Sequence, residues 1–341
     1  MSVLVTGGCG YLGSHTCLAL LEAGYEVVAV DNLCNSSRES LKRVSEMTGQ
    51  PFKLYECDVR NGMQLMQVVE QNNVEAVIHF AALKSVSESF EKPLEYYENN
   101  VGGTLTLLRV MALQKVPYLV FSSSATVYGE QEVQPVHESA ALRPCSPYGR
   151  TKVTCEEMIE AAARANPDFS AVILRYFNPV GAHESGRIGE APQGEPSNLL
   201  PRLTRAAAGS LPPLVIAGDD FPTPDGTGLR DYVHVCDIAQ GHVAALEALE
   251  RRPSGVLTCN LGAGRPVSVR ELIDTFERAT GVSVPCRVGP RREGDLAACW
   301  ADITRARQEL GWSPLRTMEE ACRDAWNWQS QNPFGYDGPV L

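Results

Sequence analysis

The chain has no apolar run of the roughly 18 residues that a membrane-spanning helix requires. A basic leader is missing too: Met1-Ser2-Val3-Leu4-Val5 enters a strand pattern at once, so no signal peptide is expected. Positive charge is in deficit, with 30 lysines and arginines against 41 acids and a formal net charge of −11. That balance argues against a broad nucleic-acid or anionic-membrane surface, while leaving room for an anionic small ligand held by a few local arginines. Metal-site spacing is absent, since the six histidines form no His-Glu-x-x-His run. The eleven cysteines form no Cys-x-x-Cys; their number is odd and their spacing scattered. They read as reduced thiols filling the core of a cytoplasmic protein, not as a disulfide framework. No internal repeat or low-complexity segment stands out.

What is present is a globular composition, 44% hydrophobic and 21% charged over 341 residues, enough for a large core and about two domains. The first half alternates short apolar strands with helical patterns, the signature of a parallel sheet with crossover helices. Strands are expected at 3–6, 26–31, 52–56, 76–80, 118–123 and 171–176, and helices at 12–23, 63–71, 93–114 and 148–165. After Asn178-Pro179 the texture turns rich in Gly and Pro. The expected fold class is therefore α/β, a doubly wound parallel sheet with a smaller α/β substrate domain. Residues 1–179 form the dinucleotide-binding domain and 234–255 return to it. Residues 180–233 and 256–341 form the second domain, with helical patterns at 268–280 and 318–329.

Thr6-Gly7-Gly8-Cys9-Gly10-Tyr11-Leu12-Gly13 follows the first strand and opens a helix. Gly7, Gly10 and Gly13 meet the needs of a Rossmann dinucleotide site: a tight turn, close approach to a pyrophosphate and close helix–strand packing. The helix N-terminus adds unpaired N–H groups and partial positive charge. Asp31 lies 18 residues after Gly13, at the end of the second strand. A carboxylate there accepts from both ribose hydroxyls and repels a 2′-phosphate, so NAD is expected rather than NADP. Asp58 and Val59, and Phe80-Ala81-Ala82-Leu83-Lys84, also lie at strand ends, where such sheets bind ligands.

Ser122-Ser123-Ser124 ends the fifth strand, and Tyr148-Gly149-Arg150-Thr151-Lys152 opens a later helix. Tyr148 and Lys152 are four residues apart and share one helix face. A free tyrosine has a pKa of about 10. A nearby ammonium and a positive nicotinamide ring both favour the phenolate. Ser124 is placed to relay or steady the proton. Tyr-x-x-x-Lys alone is a common exposed pair; its weight comes from the dinucleotide signature and the serine run before it.

With these segments the chain resembles the extended short-chain dehydrogenase/reductase family, and within it the branch that epimerises UDP-hexoses at C4. The finer resemblance rests on 31–36, 92–97, Leu174-Arg175-Tyr176-Phe177-Asn178-Pro179, Asp225-Gly226-Thr227-Gly228, Arg230-Asp231-Tyr232 and Arg291-Arg292-Glu293-Gly294-Asp295, spread over nearly the whole chain. It implies NAD contacts at Tyr11, Leu12, Asp31, Asn32, Leu33, Cys34, Asn35, Ser36, Asp58, Val59, Phe80, Ala81, Ala82, Leu83, Lys84, Asn99, Ser124, Tyr148, Lys152 and Phe177. It implies UDP-sugar contacts at Lys84, Ser124, Tyr148, Asn178, Asn198, Leu199, Val215, Ile216, Ala217, Arg230, Tyr232, Arg292, Asp295 and Cys299. Forked arginines suit a diphosphate, and Ser197-Asn198 reads as a helix start. The implied activity is NAD-dependent interconversion of UDP-galactose and UDP-glucose through a 4-keto sugar, by a homodimer packed through 93–114 and 148–165. Two positions depart from the family's commoner residues: Ala217 where relatives often carry phenylalanine near the uracil, and Cys299 where some carry tyrosine. A small residue at 299 extends the expectation to UDP-GlcNAc and UDP-GalNAc.

A sugar-nucleotide 4,6-dehydratase shares the opening chemistry but needs an acid/base pair beside the strand-end hydroxyl, and Ala125-Thr126 follow Ser124 here. A non-catalytic NAD-sensing protein is the rival from another class, and the Tyr148/Lys152 pair counts against it.

Overall fold

The structure is a computed structural model and describes residues 1–251, 254–292 and 294–338. Glu293, and the parts of the expected domain ranges at 252–253 and 339–341, lie outside the described residues. The first half runs β1 Ser2–Thr6, α1 Tyr11–Glu22, β2 Glu26–Asp31, α2 Arg38–Thr48, β3 Lys53–Glu56, α3 Gly62–Gln71, β4 Ala76–His79, α4 Val86–Glu91, α5 Pro93–Tyr96, α6 Gly102–Gln114, β5 Tyr118–Ser124, α7 Pro147–Ala165 and β6 Ser170–Tyr176. The rest runs β7 Asn178–Val180, α8 Leu199–Ala207, β8 Leu214–Ala217, β9 Leu229–Arg230, β10 Tyr232–His234, α9 Val235–Arg251, β11 Gly255–Leu261, β12 Val267–Ser268, α10 Val269–Thr280, β13 Cys286–Gly289, β14 Ala298–Cys299, α11 Thr304–Leu310 and α12 Met318–Gln331.

Seven strands form one parallel sheet in the order β3-β2-β1-β4-β5-β6-β11. The strand period of two divides β1 between two cores. Val3 and Val5 pack with Cys17 and Leu20 of α1, Leu41 of α2 and Leu246 of α9. Leu4 faces the other way, onto Leu65 of α3, Leu107 of α6 and Ile159 of α7. Covering both faces is what a continuous apolar strand demands. Winding reverses between β1 and β4, which opens a crevice at their carboxyl ends. The second lobe has its own core, where Leu203, Leu272, Phe276, Met318 and Cys322 come together from α8, α10 and α12. Capping boxes at Ser268/Glu271 and Thr317/Glu320 start α10 and α12.

Three features differ from the sequence reading. Residues 256–261 were expected in the second lobe but form β11, which pairs with β6 at the edge of the main sheet. Ala306, Leu310 and Trp312 follow it onto the first core, because an apolar edge strand needs cover on its face. The helix expected at 93–114 is broken into α5, a π-helical turn Tyr97–Val101 and α6. Helix α2 was missed; its strongly polar outer face left the Leu41/Val44 stripe too short to stand out.

Candidate active site

Glycines shape the crevice. Gly7 has φ +71°, and a Cβ on it would lie 2.8 Å from the Ala81 nitrogen. A Cβ on Gly13 would lie 2.1 Å from the Gly7 carbonyl oxygen, so α1 packs directly on the turn. Gly10 is the N-cap of α1 and offers no side-chain cap, which leaves first-turn N–H groups to an outside acceptor. This open, positive helix end fits the pyrophosphate of a dinucleotide.

Asp31 stands at the end of β2, 7% exposed. Its carboxylate accepts from the backbone N–H of Cys9 and Leu33, both at 2.9 Å, and from Ser36 Oγ at 2.7 Å. These bonds hold both oxygens at the crevice edge and leave lone pairs to spare. Leu33 adopts φ +58°, a strained left-handed turn that carries Cys34 and Asn35 past the strand end. Asn32 donates to Asp58, whose carboxyl is held well below the usual range by Arg60. Val59 is different: its side chain is buried against Gly103 in the α3/α6 core, so only its backbone faces the crevice. Arg38 pairs with Glu56 across the loop. Leu12 and Phe80 rest on the first core, and Phe80 also packs against His242. Tyr11 reaches out of α1 to donate to the Gly181 carbonyl at 2.6 Å, tying the cofactor turn to the other lobe.

Sequence reasoning named Asn99 and missed Asn100. The π-turn rotates Asn100 inward, where it is 2% exposed. It accepts from Leu83 N at 2.8 Å and donates to Leu83 O at 3.0 Å and Thr151 at 3.1 Å. Asn99 donates to Asn100 in turn. One side chain thus fixes the Ala81–Lys84 loop against α7, and a π-turn is a frequent mark of such sites. Lys84 pairs with Glu190 at 3.0 Å, and Asn198 donates to the same carboxylate at 2.7 Å. Glu190 was also missed; it lies in a Gly/Pro-rich loop without any local pattern.

The catalytic candidates converge at the carboxyl end of β5. Ser146 caps α7 by accepting from Gly149 N, which sets Tyr148 and Lys152 on the face toward the sheet. Tyr148 is 8% exposed and lies beside Ser124; burial pushes its phenol up to about 12, with Ser124 opposing. Lys152 is 3% exposed, and burial draws it down to about 8 against the pull of Cys155 and Glu156. Its Nζ donates to the Ser122 carbonyl at 2.7 Å and sits 5.9 Å from the centre of the Tyr148 ring. Burial therefore outweighs the opposing influence of Ser124 in the protein alone, and the phenol is neutral near pH 7. A cationic nicotinamide ring is the group whose charge would favour phenolate here.

The other lobe meets this edge through paired backbones. Strand β7 follows β6 and pairs with β10, setting Asn178 beside Tyr232. Strand β14 pairs with β9, setting Cys299 beside Arg230. Arg230 donates to the carbonyls of Leu229 and Leu296 and lies 3.8 Å from Asp295. Arg292 holds the other Asp295 oxygen at 3.0 Å. Tyr232, buried beside this trio, has its phenol pushed up to about 12. Cys299 packs against the buried cluster that includes Tyr128, Phe177 and Ala301. Val215 is exposed, whereas Ile216 is buried in the second core. Ala217 ends β8 next to Gly289, and Leu199 opens α8.

Comparison with known proteins follows these features. A model of the NAD dependent epimerase/dehydratase family matches residues 3–262. The chain is 50% identical to UDP-glucose 4-epimerase of Bacillus subtilis (strain 168) over 336 residues, covering 98% of this chain and 99% of the relative. It is 52% identical to the enzyme of that name from Erwinia amylovora, with the same coverage. Among solved structures, UDP-glucose 4-epimerase from Bifidobacterium longum in complex with NAD+ and UDP superposes with a TM-score of 0.95 at 47% identity, covering 98% of this chain and 100% of that one.

Proposed function

We infer, since the chain belongs to the NAD dependent epimerase/dehydratase family, that it is an NAD-dependent isomerase interconverting UDP-galactose and UDP-glucose. The observation that carries the reading is Tyr148, buried between Ser124 and Lys152 at the sheet edge, across from Arg230, Arg292 and Asp295. NAD, held at the α1 N-terminus and by Asp31, would supply a reversible hydride acceptor, so that no net redox change results. Tyr148 takes the proton of the sugar 4-hydroxyl and returns it. Ser124 steadies that proton, and Lys152 keeps positive charge next to the developing phenolate. Arg230 and Arg292 hold the diphosphate and Asp295 accepts from the uridine ribose, which leaves the hexose free to turn over between the two transfers. Binding energy remote from the reacting carbon thus retains the 4-keto sugar. Incubation with UDP-galactose tests this: UDP-glucose forms, and Tyr148→Phe abolishes it. An equal yield from both proteins would contradict the reading.

Substrate breadth follows from Cys299. A small side chain at this position leaves volume for an N-acetyl group, so UDP-GalNAc and UDP-GlcNAc are also interconverted. Cys299→Tyr is expected to lose the acetylated pair and keep the other; equal loss on both pairs would overturn this. Phe90 and Leu94 stand 61% and 81% exposed along the α4–α5 face, beside α7. With Leu94 in the segment 93–114, this supports a homodimer packed through the helices of 93–114 and 148–165, which sedimentation equilibrium checks. Among the described residues no helix is long and apolar enough to cross a membrane, and the cysteine usage fits a cytoplasmic enzyme.

A further inference from the structure

One helical turn beyond Lys152 stands Glu156, 2% exposed, to which the chemistry above assigns no role. Its carboxylate has three protein donors. Arg175 of β6 forks onto it at 3.0 and 2.6 Å, and Ser123 Oγ donates to it at 2.5 Å. Ser123 lies between two residues of the site. Ser122 accepts from Lys152 through its carbonyl, and Ser124, whose hydroxyl accepts from Thr126 N at 3.2 Å and Thr126 Oγ1 at 3.0 Å, lies beside Tyr148. The strand end is therefore tied to α7 on both sides of one turn, by Lys152 and by Glu156. The tie continues inward: Arg175 donates to Tyr128 Oη at 3.0 Å and the Glu138 carbonyl at 3.1 Å, and Tyr128 donates to Asn260 of β11 at 2.6 Å.

We propose that Glu156 is a positioning residue of the reaction. Through Ser123 it fixes the end of β5 against α7, so that the Ser122 carbonyl and the Ser124 hydroxyl stand where Lys152 and Tyr148 require them. A buried ion pair is weak evidence for stability, because well-packed apolar residues often do as well. Its value here lies in geometry: a rigid, hydrogen-bonded brace directly behind three reacting side chains. The same carboxylate also supports the ammonium of Lys152, which is faced by Tyr148 and Cys155 on α7 and His79 on β4, with Tyr176 of β6 beside Tyr148.

The inference rests on the epimerase reading, so wild-type turnover of UDP-galactose is measured first. Ser123→Ala removes one hydroxyl and leaves the Glu156–Arg175 fork in place. Its kcat is expected to fall about tenfold with KM within twofold, since small displacements behind reacting groups are costly. Glu156→Gln removes the charge, and the alkaline fall of kcat is expected to move to lower pH as Lys152 loses its proton sooner. A purely structural role would lower thermal stability and leave both readouts unmoved. The proposal is overturned by a folded Ser123→Ala with kcat within twofold of wild type, or by a folded Glu156→Gln with an unshifted pH profile. If Glu156→Gln does not fold, Ser123→Ala alone decides. A wild type that makes no UDP-glucose overturns the reading of the site together with the proposal, whereas active wild type with equally active Ser123→Ala overturns the proposal alone.

Discussion

The crevice at the carboxyl ends of β1 and β4 and the face carrying Arg230, Arg292 and Asp295 are built differently. In the crevice, several polar side chains are already held by the fold. Asp31 carries three protein donors, Asn100 clamps Leu83 from both sides, and Lys152 is locked on a carbonyl. Across the cleft, Arg292 is exposed and pairs mainly with Asp295, three residues away. Such surface pairs are worth little to stability. On the proposed function, the first region is preorganised for a cofactor that stays, and the second exchanges internal pairs for a substrate that comes and goes. Mutations should therefore damage fold and chemistry together on one side, and affinity alone on the other.

The largest expected effect is at the centre. Tyr148→Phe should lower kcat about 10³-fold, within the range for loss of a positioned acid–base group, with little change in KM for UDP-galactose; steady-state kinetics checks it. Next is Gly7→Ala, which forces a Cβ onto backbone at a positive φ. We expect roughly 2–3 kcal/mol of destabilisation and loss of bound NAD, read by denaturant titration and by absorbance after unfolding. Arg292→Ala should do the reverse. KM rises about tenfold, as for one lost charge-assisted hydrogen bond, while kcat and melting temperature hold. A large fall in stability there would break the contrast.

The mildest probe is acid. Burial lowers His15 and His79 to about 3 and His242 to about 4, and all three lie in the first region. Their folded values are depressed below the unfolded value of about 6.5, so the unfolded chain binds protons first as pH falls. Their contribution is complete above about pH 6.5 and is lost below it, by about 0.8 kcal/mol each at pH 6. Urea melts at pH 7.5 and 6.0 measure this, and hydrogen exchange shows whether the main sheet bears the loss.

The same contrast governs what could be read from sequence. The crevice was legible because its demands are local: Gly7, Gly10 and Gly13 sit in one turn, Asp31 ends one strand, and Tyr148 and Lys152 share one helix face. Asn100, Glu190 and the Glu156–Arg175 brace were not, because their partners lie far along the chain and no spacing announces them. The π-turn that aims Asn100 inward leaves no periodic trace. Strand β11 reads as an isolated apolar run, and only pairing with β6 assigns it to the main sheet. In the second lobe the residues were named through resemblance, since two arginines and an aspartate in a loop have no pattern of their own. There the structure shows which side chains are buried, like that of Ile216, and which are exposed, like that of Val215.

Incubation of the purified protein with UDP-galactose and no added NAD, followed by proton NMR of the sugar anomers, tests the central claim most directly. UDP-glucose should accumulate to equilibrium without net NADH, and Tyr148→Phe should leave UDP-galactose unchanged. No UDP-glucose from wild type even after NAD is supplied, or equal conversion by Tyr148→Phe, would contradict it.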